Sequence, residues 1–428
     1  MRALRGWLMA MVLASAAGSA RAVSAQDTTA LDPVMRLQAK LDAGTVMLAH
    51  DSVLGYLPAV LKALEIPSSS QTLVFSRTSL QTDKITPWSP RALYFNDDVY
   101  IGYVFDSDFL EIAAVHPTAG ARFYTFGQTT RTNPRFSRET TTCLMCHQSR
   151  AVTGGVPGFM VLSTLADRHG YPITGVHDGP TTDATPVRQR FGGWYVTGTH
   201  GTIGHSGNVH SPLLGHQVAD KAQYRSQFNM RGQSALTALT GKFDSTFYLT
   251  SQSDIVAIMV LTHQTIMHNL ITATHEAARE ALLAAAIAPP EQRGQPTPVT
   301  PRLRGAVETL VRGMLFVNEA PLEGPVKGTT TFAADFMAHG PRDAQGRSLR
   351  TLDLEKRLFK YPLSFLIHSE AFDALPEVAK RAIYTRLDSI LRGTDRTPDL
   401  QGISADDRRV VLEILTATKP EFLKLRAP

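Results

Sequence analysis

Cysteine occurs twice in the 428 residues, and both copies fall in one five-residue stretch, Cys143-Leu144-Met145-Cys146-His147. Two thiols one helical turn apart, with a histidine directly after the second, suit covalent attachment of a c-type haem, because each thiol forms a thioether to a vinyl group while the histidine reaches the iron. A chain that carries this stretch has to build the rest of its fold around a group fixed at three points. Other readings of the same residues fit less well. A disulfide across two intervening residues closes only a small, strained ring and leaves His147 an accident. Zinc takes four ligands, and neither a second C-x-x-C nor an H-x-x-x-H partner is present. A thioredoxin-like pair wants a βαβ setting, whereas strand-like sequence precedes this motif and Gly154-Gly155-Val156-Pro157-Gly158 follows it.

The N-terminus reads as a cleaved secretory signal over residues 1–25. Arg2 and Arg5 precede an apolar run from Leu8 to Ala17, and small residues end it at Ala20-Arg21-Ala22 or Val23-Ser24-Ala25. The run is too short to anchor in a bilayer, and no later stretch is expected to cross one. Export to the periplasm or another outside compartment agrees with a c-type haem, which is attached after translocation. Losing Arg2, Arg5 and Arg21 with no acidic residue takes the formal charge from +5 to +2, and no basic block or stripe remains for nucleic acid or an acidic membrane. The expected partner is a redox protein. A hydrophobic content of 43% is enough for a sizeable core.

Periodicity divides the mature chain into a β-rich region, 26–250, and a helical region, 251–428, packed as one α+β unit. Asp32-Pro33 starts a helix that Gly44 ends, and Leu54 to Leu64 forms a second. From Thr72 the period becomes that of strands: 73–75, 92–95, 99–105, 110–115 and 121–126, with Asn96-Asp97-Asp98 as a hairpin turn. A mostly antiparallel sheet therefore precedes the motif. After it, 159–165 and 171–173 suggest a hairpin around His169-Gly170, and 192–198 a short strand entering a glycine- and histidine-rich loop, 200–216. Asp254 to Ala288 reads as a long helix, followed by a Pro-rich link and helices near 304–316, 352–367, 377–391 and 405–416, the last capped by Ser404 and Asp407. A small cytochrome c sets its motif on an early helix. Here more than a hundred residues precede it, so that fold does not carry over.

The strings SSQTLVFSRTSLQ (69–81), SPRALYFNDDVYIGYV (89–104), CLMCHQS (143–149), FGGWYVTGTHG (191–201) and RLFKYPLSFLIHSEAFDALP (357–376) resemble a family of exported bacterial proteins described only as cytochrome c or haem-binding. The resemblance covers nearly the whole mature chain and implies export and one haem, but no reaction.

Cys143 and Cys146 are the expected anchors and His147 the axial iron ligand. The sixth ligand decides between electron transfer and catalysis, since a second strong ligand saturates the iron. His205, then His200, are the leading distal candidates, because a glycine-rich loop can fold over a haem face. Met160 and Met230 are methionine alternatives, Met160 reading also as a core residue. On the long helix, His263 and Met267 share a face and one of them can approach the iron, while His268 and His275, two turns apart, cannot both bind one ion. Arg131, Arg135, Arg138 and Arg150 flank the motif as propionate partners or as solvated surface. Trp194 and Tyr195 are expected to pack the sheet.

Three functions fit: an electron carrier or electron-accepting subunit, ranked first; a peroxidase- or oxygenase-like haem enzyme with a distal histidine; and a haem-based sensor. The chain is far larger than a carrier needs, which favours the last two. A single haem is awkward for a two-electron peroxidase, which favours the first.

Overall fold

The computed structural model describes residues 31–130, 133–173, 179–218, 235–292, 295–395 and 397–426. The signal segment, Arg131 and Met230 lie outside them. The fold is α+β, with an antiparallel sheet of seven strands in the N-terminal half and helices in the C-terminal half. The strands are β1 (Thr72–Val74), β2 (Arg91–Phe95), β3 (Val99–Tyr103), β4 (Phe109–His116), β5 (Gly120–Gly127), β6 (Phe136–Glu139) and β7 (Trp194–Tyr195), in the order β6-β5-β4-β3-β2-β1-β7.

Five of these strands, β1 to β5, fall on the segments expected from sequence. The turn from β2 to β3 is fixed by Asn96, whose Oδ1 accepts the Asp98 and Val99 N–H groups at 3.1 and 2.9 Å. β6 is not legible from sequence, because Phe-Ser-Arg-Glu carries too little apolar signal. Residues 159–173 form no regular strand, but the chain does double back around His169-Gly170: Ala166 bridges Pro172 in antiparallel fashion, and the Asp167 and Ile173 N–H groups bond the Tyr171 and Leu165 carbonyls, each at 2.8 Å. The segment 192–198 reduces to the two-residue edge strand β7 for a similar reason: Thr197 and Gly198 turn away to bond Ser253 and Leu236.

The two faces of the sheet are buried differently. Helices α1 (Pro33–Asp42) and α2 (Leu57–Ala63) cover the face that carries Tyr94, Ile101, Ile112, Tyr124 and Phe126. Asp32 ties this layer down, its Oδ1 capping α1 through Val34 and Met35 while its Oδ2 accepts the Tyr124 hydroxyl at 2.6 Å. The opposite face, with Phe95, Tyr100 and Phe123, packs on a core that continues without a break through the C-terminal helices to Phe422.

At the centre of that core lies the long helix. With α3 (Leu144–His147) and α4 (Arg150–Thr153) preceding it, α5 spans Ile255–Ala286. Asp254 caps it, Oδ1 accepting from Val256 and Ala257. By length and composition α5 is apolar enough to cross a membrane, contrary to the expectation that no such stretch follows the signal, but 89% of its apolar window is buried inside the fold. It is thus the core helix here. Its buried polar side chains are aimed at partners, as burial requires: Gln264 donates to the Tyr100 hydroxyl at 2.8 Å and to the Asn96 carbonyl at 2.7 Å.

The remaining helices are α6 (Pro301–Met314), α7 (Phe332–Ala338), α8 (Glu370–Asp373), α9 (Glu377–Leu391), α10 (Ala405–Thr418) and α11 (Pro420–Leu425). Ser404 caps α10 as expected, accepting the Asp407 N–H at 3.0 Å. The helix expected over 352–367 is absent. Asp353 instead folds a tight turn, Leu352 bridges Phe359, and only a short 3-10 turn, Phe365–His368, is helical. Pro362, which cannot continue a helix from the preceding turn, sits in the middle of that stretch.

Candidate functional site

Strand β6 ends at Glu139, and within four residues the chain enters α3, a single helical turn closed by the His147 N–H on the Cys143 carbonyl at 2.9 Å. That turn sets Cys143, Cys146 and His147 within one turn of helix. Cys143 is half-buried and, with Leu144, packs on the sheet face of Phe123; Cys146 is exposed and Met145 is 73% exposed. Both cysteines are free thiols. Burial, then the charges of Glu139 and Glu111, push the Cys143 thiol up to about 11.

His147 is held from two directions. Its ring packs on Phe123 of β5 at 4.6 Å between centroids, and its Nδ1 lies 2.9 Å from the Gly158 carbonyl oxygen. A carbonyl only accepts, so Nδ1 carries the proton and Nε2 keeps an unprotonated lone pair. Burial also lowers the imidazole's affinity for a second proton. This is the arrangement by which a metal-binding histidine is oriented and made more basic. The return chain is fixed in turn: the Gly158 N–H bonds the His147 carbonyl at 2.8 Å, and the Pro157 carbonyl accepts the Ala121 N–H of β5 at 2.9 Å.

A half-buried ion pair that sequence reasoning missed shares this face of the sheet. Arg91 of β2 reaches across β3 to Glu111 of β4, 2.6 Å apart, with side chains 19% and 11% exposed. It passes over Gly102, where a Cβ would fall 2.5 Å from Arg91 Nε. Arg91 Nε and Glu111 Oε1 are buried without hydrogen-bond partners, and both charges act on Cys143 and His147. The legible signal was two charges at inward positions of otherwise apolar strands.

The other expected residues are distributed elsewhere. Helix α5 serves as a ruler: Asn269 touches Gly158, and Ile255 touches Gly198, two residues before His200. Fourteen residues of helix between those contacts set the two loops about 21 Å apart. His205 lies beside Phe191 and Val196 at the β7 edge, five strands from the β5 residue that His147 touches. Its Nδ1 accepts the Gly207 N–H at 3.0 Å, which places its proton on Nε2. The fold therefore sets His205, and its neighbour His200 at 4.8 Å between rings, in a different part of the sheet from His147.

His263 has both ring nitrogens engaged, Nδ1 with Asp183 and Nε2 with Ser364, each at 2.8 Å. Met267 is fully buried against Gly313 of α6. His268 packs near Phe159 with Nε2 on the Asp97 carbonyl at 2.9 Å, and His275 is buried farther along α5. Met160, next to Phe159, is half-buried. Arg135 pairs with Asp42 at 2.9 Å, Arg138 is in register with Tyr124 on the other face of the sheet, and Arg150 is exposed. Trp194 and Tyr195 pack the sheet, donating to the Leu162 and Pro87 carbonyls, each at 2.8 Å.

Among the described residues no three His, Cys, Asp or Glu side chains converge as a metal site. A haem brings its own four nitrogens and asks of the chain only a nitrogen and two thiols, which Cys143, Cys146 and His147 offer. No family model, curated protein or solved structure matches the chain.

Proposed function

We propose that this chain carries one covalently attached haem c and exchanges single electrons with a partner protein. Cys143 and Cys146 would each add S–H across a vinyl group, and His147 Nε2 would bind the iron. The observation that carries the reading is the His147 Nδ1–H bond to the Gly158 carbonyl, which presents Nε2 unprotonated beside two free thiols. Bound there, the haem supplies a one-electron couple. The chain's own part is to orient His147, to fix the attachment edge at a surface where Cys146 and Met145 are open to solvent, and to back it with Phe123 and the Arg91–Glu111 pair. An attachment edge at the surface suits electron exchange with a docked protein better than chemistry in a closed pocket. This reading also carries export, since attachment follows translocation.

A haem stain surviving denaturing electrophoresis, lost in Cys143→Ala/Cys146→Ala, tests attachment. A six-coordinate low-spin ferrous spectrum that resists carbon monoxide is expected; rapid carbon monoxide binding would overturn electron transfer in favour of ligand chemistry.

A further inference from the structure

Asn269 lies on the face of α5 that meets the sheet, 8% exposed and opposite the segment that follows the haem motif. Its side-chain amide uses both ends on a single residue: Oδ1 accepts the Phe159 N–H at 2.8 Å and Nδ2 donates to the Phe159 carbonyl at 2.8 Å. This paired amide clamp holds the Phe159 backbone from both sides: the N–H belongs to the peptide joining Gly158 to Phe159, whose oxygen is the acceptor for His147 Nδ1–H, and the carbonyl belongs to the next peptide, 159–160. Residue 158 must be glycine for the clamp to close, because a Cβ there would fall 2.2 Å from Asn269 Oδ1. The chain is continuous: helix α5, Asn269, the 158–159 peptide, the His147 ring.

We propose that Asn269 is a positioning residue for the iron ligand, holding the Gly158 carbonyl so that the Nδ1–H bond sets the electron donation of His147. The inference rests on the haem reading above and gives it a device for setting the reduction potential. A hydrogen bond at Nδ1 raises the basicity of the ligating nitrogen, which favours ferric iron. Loosening the clamp therefore makes the ferrous state easier to reach and moves the midpoint potential upward.

The test is potentiometric titration of the haem-loaded full-length protein, wild type against Asn269→Leu and Asn269→Asp. Leu removes both bonds at similar volume, while Asp keeps the acceptor for Phe159 N–H and loses the donor. Expected is unchanged covalent haem staining with a midpoint raised in Leu by at least a tenfold change in the ferric–ferrous equilibrium, 59 mV for one electron, and raised less in Asp. Staining and potential both unchanged, with only thermal stability reduced, would show Asn269 to be structural and overturn the proposal. Should both variants fail to fold, nitrogen NMR of the wild-type His147 ring decides: a slowly exchanging, hydrogen-bonded Nδ1–H supports it, and rapid exchange with water removes it. Wild-type protein without covalent haem would remove both readings, whereas haem-loaded variants with an unmoved potential remove this one alone.

Discussion

Arg91 and Glu111 sit on strands that are not neighbours, yet their side chains meet at 2.6 Å because the strand between them carries Gly102 at the crossing point. The register leaves no doubt about the face: Gly102 is opposite Leu93 on one side and Glu111 on the other. If His147 binds haem iron as proposed, a half-buried pair beside it biases whichever oxidation state its net field favours. Arg91→Gln, which leaves the carboxylate alone, is expected to lower the midpoint potential, and Glu111→Gln to raise it. Shifts of the same sign in the two variants would show that the pair does not act through its charge. Gly102→Ala is expected to cost about 2 kcal/mol in chemical denaturation by forcing Arg91 aside.

Asp183, His263 and Ser364 form a hydrogen-bonded series with the spacing of a hydrolytic triad, at 2.8 Å on each side of the imidazole. Burial assigns it a structural role. Ser364 is 0% exposed, and its Oγ also accepts the Leu366 N–H at the start of a 3-10 turn. Ser364→Ala is expected to destabilise the fold by about 1–3 kcal/mol, the cost of a buried nitrogen left without its partner. A fluorophosphonate probe is expected to leave Ser364 unmodified; stoichiometric labelling would refute the structural assignment.

Burial pushes three histidines down: His205 to about 3, with His200 adding to the effect, and His268 and His368 to about 4. The unfolded chain takes up these protons near the ordinary histidine value of about 6.5, so below that pH the unfolded state binds more protons than the folded one. Stability is then full above pH ~6.5 and falls as pH drops toward ~4. Urea midpoints measured across that range should show the decline, and His205→Gln/His368→Gln should flatten it. A slope identical to wild type would count against the assignment. In haem-loaded protein His205→Gln should also leave the optical spectrum unchanged, because that residue lies beside Phe191 at the β7 edge, five strands from β5.

Asp254 does two jobs with one carboxylate. Oδ1 caps α5, and Oδ2 accepts from Thr330 through its backbone N–H at 2.9 Å and its hydroxyl at 2.8 Å. Asp254→Ala is expected to cost about 2 kcal/mol or more by thermal or urea unfolding, above an ordinary N-cap, because the Thr330 donors are stranded as well. Asp254→Asn, which keeps the cap acceptor, should cost less. Equal losses would mean that the charge, and not the capping geometry, is what matters.

Local chemistry determined much of this protein from its sequence alone. Alternating strands from 91 to 127, the Asp32 and Ser404 caps and the long apolar helix follow from periodicity and from side chains that bond their own backbone, and the Cys143-Leu144-Met145-Cys146-His147 stretch states its candidate chemistry in five adjacent residues. Everything that depends on who meets whom across the fold needed the tertiary structure. Nothing near His147 in sequence announces that the Gly158 carbonyl, held by Asn269 more than a hundred residues later, would fix its tautomer. Nor does the loop chemistry of His205 reveal that its loop and the Gly158 segment meet helix α5 at points about 21 Å apart. Spacing along a chain governs bonds within one turn, whereas ligand geometry depends on strand order and helix packing, which only the assembled core decides.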